Sequence, residues 1–272
     1  MPITQDLGGK NYTLGRGRVF FDRFPANTVV TALTRGTGER YFGNTTELTT
    51  TSESENLDHY DSDGGVKVKD GAVQLTMNRS GAFKCDNIDS ENMALYFVGE
   101  ASVVTQASAL AVVEVITAGV LRGRFYQLGV NESLPSGVRG IANVIVKKGA
   151  GFTTTVAQVG NYEVDEVRGR VFIENASAAI PDNTVLQITY DVLANTREQI
   201  ISKSAAIYGA IRFVADNATG ANRDYYFPYV KLTPDGDYAL KGEEWQTMGF
   251  KMEVLKKSTN VEALYIDGQP TA

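Results

Sequence analysis

Residues 43–65 read "GNTTELTTTSESENLDHYDSDGG". The stretch is Thr-rich, as β-strands often are, yet its only aliphatic residues are Leu48 and Leu57. Side chains alternate between the two faces of a strand. Thr45, Glu47, Thr49, Thr51, Glu53 and Glu55 are therefore expected on one face, and Asn44, Thr46, Leu48, Thr50, Ser52 and Ser54 on the other. Neither face carries the apolar stripe of a domain core, so both are expected to meet water or another polar surface. Beyond "DSDGG" the pattern changes: Val73, Leu75 and Met77 alternate with Gln74, Thr76 and Asn78, which predicts a partner strand with a core side and a polar side.

The rest of the chain places this segment in a mainly β protein. Its 272 residues are 43% apolar, enough for a sizeable core, and Val, Thr, Tyr and Phe favour strands. "RGRVFFD" predicts a first strand over Arg16–Asp22, and Asn27–Leu33 a second, followed by a turn at Gly36–Gly38. One helix is predicted in "NIDSENMALYFVGE", with Asp89 as N-cap, Ile88 and Met93 as a hydrophobic staple and Gly99 as the stop. Met93, Tyr96 and Phe97 would form its apolar face. Short strands with regular turn signals run from about 116 to 195, in "LRGRFYQLG", "IANVIVKKG", "GNYEVDEVRGRVFIEN" and "DNTVLQITYDV". Long strands return over Ile200–Val214, Tyr225–Thr233 and Trp245–Leu255. The expected organisation is one discontinuous domain, 1–115 with 196–272, interrupted by a β module at 116–195.

Composition narrows the chemistry. A formal charge of −6 disfavours tight binding to phosphate backbones. Cys85 is the single cysteine, which leaves no intrachain disulfide and fits a reducing cytoplasm. The opening "MPITQDLGGK" lacks the blocks of a secretory signal, and no apolar run is long enough to span a bilayer. His59 is the single histidine, which removes most catalytic triads and His-rich metal sites. Nothing around Cys85 would lower a thiol pKa, so a His59–Cys85 dyad is disfavoured. Asp61, Asp63, Gly64 and Asp70 fall near calcium-loop spacing, but His59 stands where the first oxygen ligand belongs; a solvated turn is the better reading. No nucleotide-binding motif is present. Glu53 and Glu55 lack the aromatic cleft of a glycosidase. No cofactor is expected, and the protein is not expected to be an enzyme. The aromatic run "DYYFPYV" could serve as a sugar platform, which makes a carbohydrate-binding or adhesin-like β-sandwich the alternative reading.

The order of "GRGRVFFD", "YFGNTTELTTTSESENLDHYDSDGG", "DNIDSENMALYFVGE" and "RDYYFPYVKLTPDGDYALKGEEWQTMGFKMEVLK" resembles the tail tube proteins, or major tail proteins, of long-tailed bacteriophages. The resemblance covers about the first hundred residues and the last seventy. It implies a β-sandwich or half-barrel flanked by a helix, six copies closing a ring, and rings stacking into a hollow tube through which DNA passes without specific binding. Assembly in the host cytoplasm into a virion tail is implied, with the tail tip or baseplate, the tape measure protein and the tail terminator as further partners. The inserted module looks like the small β decorations of phage tails; on the tube exterior it would leave the lumen clear and imply a non-contractile tail. Within this reading Glu47, Glu53, Glu55, Gln74, Thr76 and Asn78 are the candidates for facing the lumen. Leu57, Asp58, His59, Tyr60, Asp61, Asp63, Lys67 and Lys69 are candidates for an arm that is mobile in the free subunit and orders on the next ring. A ring interface in which the glutamates meet lysines such as Lys67 and Lys69 is the competing placement.

Overall fold

The computed structural model describes residues 12–270; the opening "MPITQDLGGK" lies outside them. The fold is mainly β, with several antiparallel sheets and one α-helix. In chain order the elements are β1 (Gly17–Arg23), β2 (Arg40–Tyr41), β3 (Thr45–Asp61), β4 (Val68–Cys85), α1 (Ser90–Tyr96), β5 (Gly99–Gln106) and β6 (Ala109–Val120). Next come β7 (Phe125–Gln127), β8 (Ile141–Lys148), β9 (Thr154–Val156), β10 (Tyr162–Asp165), β11 (Arg170–Ile173) and β12 (Thr184–Val192). The last are β13 (Asn195–Ser202), β14 (Ile207–Ala215), β15 (Arg223–Asp235), β16 (Met248–Val254) and β17 (Tyr265–Gly268). Two compact units divide them, one built from residues up to Ala101 and from Ile200 onwards, the other from Ser102–Gln199.

The first unit holds one eight-stranded antiparallel sheet in the order β2-β1-β14-β15-β16-β4-β3, with β17 also paired to β15. One face is the core. Val19, Phe21, Phe83, Ile211, Phe227, Val230, Leu232, Phe250 and Met252 are all buried there, and alternation along β16 accounts for Met248, Phe250 and Met252. The centre is an aromatic knot: Phe42 meets Phe83 at 4.9 Å and Phe250 at 5.4 Å between ring centroids, near the separations edge-to-face pairs prefer. Gly81 lets β4 run beneath Met252, because a Cβ there would come within 2.3 Å of Met252 Cε and 2.5 Å of the Thr49 carbonyl oxygen.

Helix α1 packs on this core face through Leu95 and Tyr96. Asp89 caps it, its side chain accepting the Asn92 N–H at 2.7 Å. Fully buried Asn92 donates to the carbonyls of Phe42 (2.8 Å) and Asn87 (2.9 Å) and accepts from Arg40, so the helix start is tied to β2. The helix ends at Phe97, before Gly99, because Val98 turns left-handed at φ 51°. Phe97 consequently leaves the apolar face and is 39% exposed.

Three expected strands take another form. Residues 27–33 are loop: Thr31 and Thr34 close a turn on themselves, Gly36 and Gly38 donate to the Asp22 carboxylate, and Val29 and Leu33 remain in solvent. The stretch 200–214 is two strands, β13 and β14, interrupted where Lys203 donates to the Val98 carbonyl and pairs with Glu100. The strand expected over Trp245–Leu255 begins only at Met248, after a loop from Gly236 to Thr247.

The second unit pairs a four-stranded sheet, β6-β12-β8-β9, with a three-stranded one, β10-β11-β7, around a shared core that includes Leu128, Ile141, Val171, Ile173, Leu186, Ile188 and Tyr190. Its boundary lies earlier than 116 because β6 starts at Ala109 and its hydrogen bonds go to β12 of the same unit. Inside, the Glu114 carboxylate accepts the Gly129 N–H (2.8 Å) and the Tyr190 hydroxyl (3.1 Å). The Tyr190 phenol is pushed up by burial and by that carboxylate.

Candidate functional site: a bare sheet face and a free ribbon

Residues directly opposite each other in an antiparallel ladder share a face, so the register sorts every side chain of the sheet. Leu48 lies opposite Phe83, on the core side; Glu47 opposite Lys84, Glu53 opposite Asn78 and Glu55 opposite Thr76 belong to the other. The ladder β4–β16 continues that second face through Lys251 and Glu253, and β15–β16 through Lys231, Thr233 and Asp235. From Lys231 to Asp235 of β15, across β16, to Thr76–Lys84 of β4 and Glu47–Glu55 of β3, the face presents three lysines (Lys84, Lys231, Lys251) against five carboxylates (Asp235, Glu253, Glu47, Glu53, Glu55). Glu47 pairs with Lys84 at 3.3 Å and Glu253 with Lys231 at 3.9 Å. The result is a mixed, weakly acidic surface. The three lysines and Glu253 were hidden in the sequence because their membership depends on which strands pair.

Two expectations about faces fail. Opposite Glu55 stands Thr76, but opposite the next residue, Asn56, stands Gln74, so Leu75 is the extra residue of a β-bulge. A bulge moves everything beyond it to the other face. Gln74 thus leaves Thr76 and Asn78 and joins Asn56 on the core-side face, while Val73 joins Glu55 and Leu57. Val73, Leu75 and Met77 form no core side: they are 65%, 55% and 46% exposed. A second bulge at Thr46 likewise separates Thr45, opposite Cys85, from Glu47.

Strand β16 supports β4 only over Arg79–Cys85. Beyond that point β3 and β4 continue as a two-stranded ribbon, from the Glu53–Asn78 pair to the Asp61–Val68 pair, about 30 Å at ~3.3 Å per residue. Both its faces are wet. The arm candidates therefore sit on strands, with only residues 62–67 outside them. Leu57 faces Val73, His59 faces Gly71, and Tyr60 faces Lys69 on the opposite side. Asp70, the extra residue of a third bulge, meets His59 Nδ1 at 2.5 Å, and Lys69 pairs with Asp58 at 2.6 Å. Donating this hydrogen bond to the Asp58 carboxylate holds the pKa of the Lys69 ammonium above its ordinary value. Asp61 accepts the Asp63 N–H in the turn. Within the one chain, Lys69 is thus paired with Asp58 and Glu47 with Lys84.

Cys85 is buried in the core, and burial first, then the Asp89 and Asp86 carboxylates, push its thiol up to about 11. His59 lies on the far ribbon, so the two form no dyad. In "DYYFPYV", Phe227, Pro228 and Val230 are buried and the Arg212 guanidinium sits 4.3 Å above the Tyr226 ring. No cluster of three metal-ligating side chains occurs among the described residues, and no helix there is long and apolar enough to cross a membrane.

No curated protein matches the chain. A family described as protein of unknown function UCP028589 matches residues 12–265, nearly the whole length, and the chain belongs to that family.

Proposed function

We propose that this protein is a structural subunit of a phage-type tail tube, in which copies close into six-membered rings and the rings stack into a conduit for DNA. The observation that carries the reading is the β3–β4 unit: a seventeen-residue edge strand on a sheet whose outer face is polar, prolonged by a ribbon with nothing of its own chain to pack on. An open edge of this length is a template for association, and an isolated two-stranded ribbon is marginal in water. Joining copies edge to edge satisfies the first, and contact with a neighbouring ring satisfies the second. A mixed-charge face that is slightly acidic suits a lumen, since it offers no cationic track on which phosphates would displace counterions. Catalysis has no part in this role.

The inserted unit, Ser102–Gln199, is proposed for the outside of the tube, where it leaves the bore open; a non-contractile tail is the consequence. Sedimentation of the purified chain over a wide concentration range, together with negative-stain imaging, tests the proposal. Rings and tubes of uniform bore are expected. Strictly monomeric behaviour, even with tail-tip complex present as nucleator, would refute it.

A further inference from the structure

The only tryptophan of the chain, Trp245, is 94% exposed. It stands in the loop joining β15 to β16, which also carries Leu240 at 80% exposure. The loop is built to hold this position. Tyr96 of α1 donates to the Gly236 carbonyl at 2.7 Å, the Tyr238 hydroxyl reaches Gln246 Oε1 at 2.8 Å, and Gln246 donates to the Ala239 carbonyl at 2.8 Å. The Tyr238 ring also packs at a tilt against Tyr96 (5.7 Å between centroids) and edge-to-face against the exposed Phe97 (5.9 Å). Trp245 and Leu240 thus stand in solvent on a loop that Tyr238 ties to the helix. A large aromatic presented on a braced loop is the kind of side chain that dominates interface energetics.

The ribbon of the same copy cannot cover this surface. Trp245 precedes Met248, which lies opposite Cys85, whereas the ribbon departs beyond Arg79, opposite Val254. The two features leave the sheet at opposite ends of β16, about 20 Å apart at ~3.3 Å per residue, and the ribbon points away. Each is an unpartnered apolar surface: Trp245, Leu240 and Phe97 at one end, the directly opposed Leu57 and Val73 on the ribbon at the other. Two different surfaces at opposite ends of one subunit make a heterologous, head-to-tail contact, which repeats without closing.

We infer that the 236–247 loop is the receptor for the β3–β4 ribbon of a second copy, with Trp245 seated on the Leu57–Val73 pair. This rests on the stacked-ring reading and specifies the contact that stacks the rings, including its polarity.

Trp245 fluorescence reports the contact without a label, because no other tryptophan is present. On assembly of the full chain its emission should shift to the blue at the concentration where stacking begins. Trp245→Ala should raise that concentration at least tenfold while leaving the subunit folded by circular dichroism. Leu57→Ser with Val73→Ser should do the same from the other side. Mixing a Trp245→Cys chain with a Val73→Cys chain should give an intermolecular disulfide between the two, Cys85 being buried and silent. Stacked tubes whose emission stays red, or Trp245→Ala tubes with unchanged concentration dependence, would overturn the inference while leaving the tube reading intact. A blue shift on phosphatidylglycerol vesicles without one on assembly would assign the loop to a lipid surface and overturn it as well. Absence of any assembly would remove both.

Discussion

Reversing Glu47, Glu53 and Glu55 to lysine separates a lumen-facing sheet from a ring interface, and the structure supplies the magnitudes. As it stands the stretch of that face from Lys231–Asp235 of β15 to Glu47–Glu55 of β3 holds three cations and five anions, a balance of −2 per copy. Each replacement adds two charges, so the triple variant reaches about +4, and six copies go from about −12 to about +24 per ring. Only phosphates within roughly 8–10 Å of the wall feel this at physiological salt. Each lysine that neutralises a phosphate releases counterions and steepens the salt dependence of binding by about 0.9 per contact. The cost to the subunit is small. Only Glu47 has a charged partner, Lys84, and both are more than half exposed, where such pairs contribute ~0.2–1 kcal/mol. Glu53 and Glu55 face Asn78 and Thr76 and lose nothing comparable. Tubes should therefore form at near wild-type concentration, and DNA ejection from particles carrying the variant should slow at low salt and recover as salt rises. Folded subunits that no longer assemble would place these glutamates at an interface and refute the lumen assignment. Normal ejection at all salt concentrations would show that the face does not meet DNA.

Gly81→Ala should destabilise the first unit by ~1–3 kcal/mol in urea unfolding, since the added Cβ meets both the Met252 side chain and the Thr49 carbonyl. Asp89→Ala should cost ~1 kcal/mol, the usual loss for an N-cap, and Asp89→Asn much less; thermal melts of the two variants compare them directly. In the second unit the Asp191 carboxylate is held below its ordinary range, first by the Ala111 N–H (2.7 Å) and then by the Asn143 amide (2.7 Å). A depressed folded pKa gives stability that is complete above the unfolded value, near 3.9, and is lost as pH falls through the lower folded one. Acid titration of thermal stability should show that loss below about pH 4 in wild type, and Asp191→Asn should flatten it.

The parts of this fold legible in the sequence were those decided locally. Asp89 followed by an apolar turn specifies a capped helix, and Met248, Phe250 and Met252 specify a one-sided strand, because neither statement needs to know the neighbour. The face of a side chain beyond a bulge is different in kind. Strand alternation assigns Gln74, Thr76 and Asn78 to one side, and it is correct only until the ladder inserts Leu75. A single unpaired residue there exchanges Gln74 for Val73 on the outer face. The same dependence on pairing hid the lysines. Lys231, Lys251 and Lys84 are distant in sequence, and they reach one surface only because β15, β16 and β4 are adjacent.

The bulge also changes what the ribbon can do. Without it Leu57 would oppose Gln74, and the outer face would stay polar to the tip. With it Leu57 opposes Val73, so an apolar pair appears two residues beyond Glu55, on the same side as the glutamates. One continuous face thus passes from charged, on the supported sheet and the base of the ribbon, to apolar at Leu57 and Val73. Inserting one serine between Glu55 and Asn56, opposite Leu75, should therefore keep the β3–β4 pairing near the sheet and the fold of the subunit, while turning the Leu57–Val73 pair to the core-side face and the Asn56–Gln74 pair to the outer one. Stacking of rings should then weaken as strongly as in the Leu57→Ser, Val73→Ser variant, although no apolar contact residue has been removed. An insertion variant that stacks like wild type would show that the face on which the Leu57–Val73 pair stands is irrelevant to assembly.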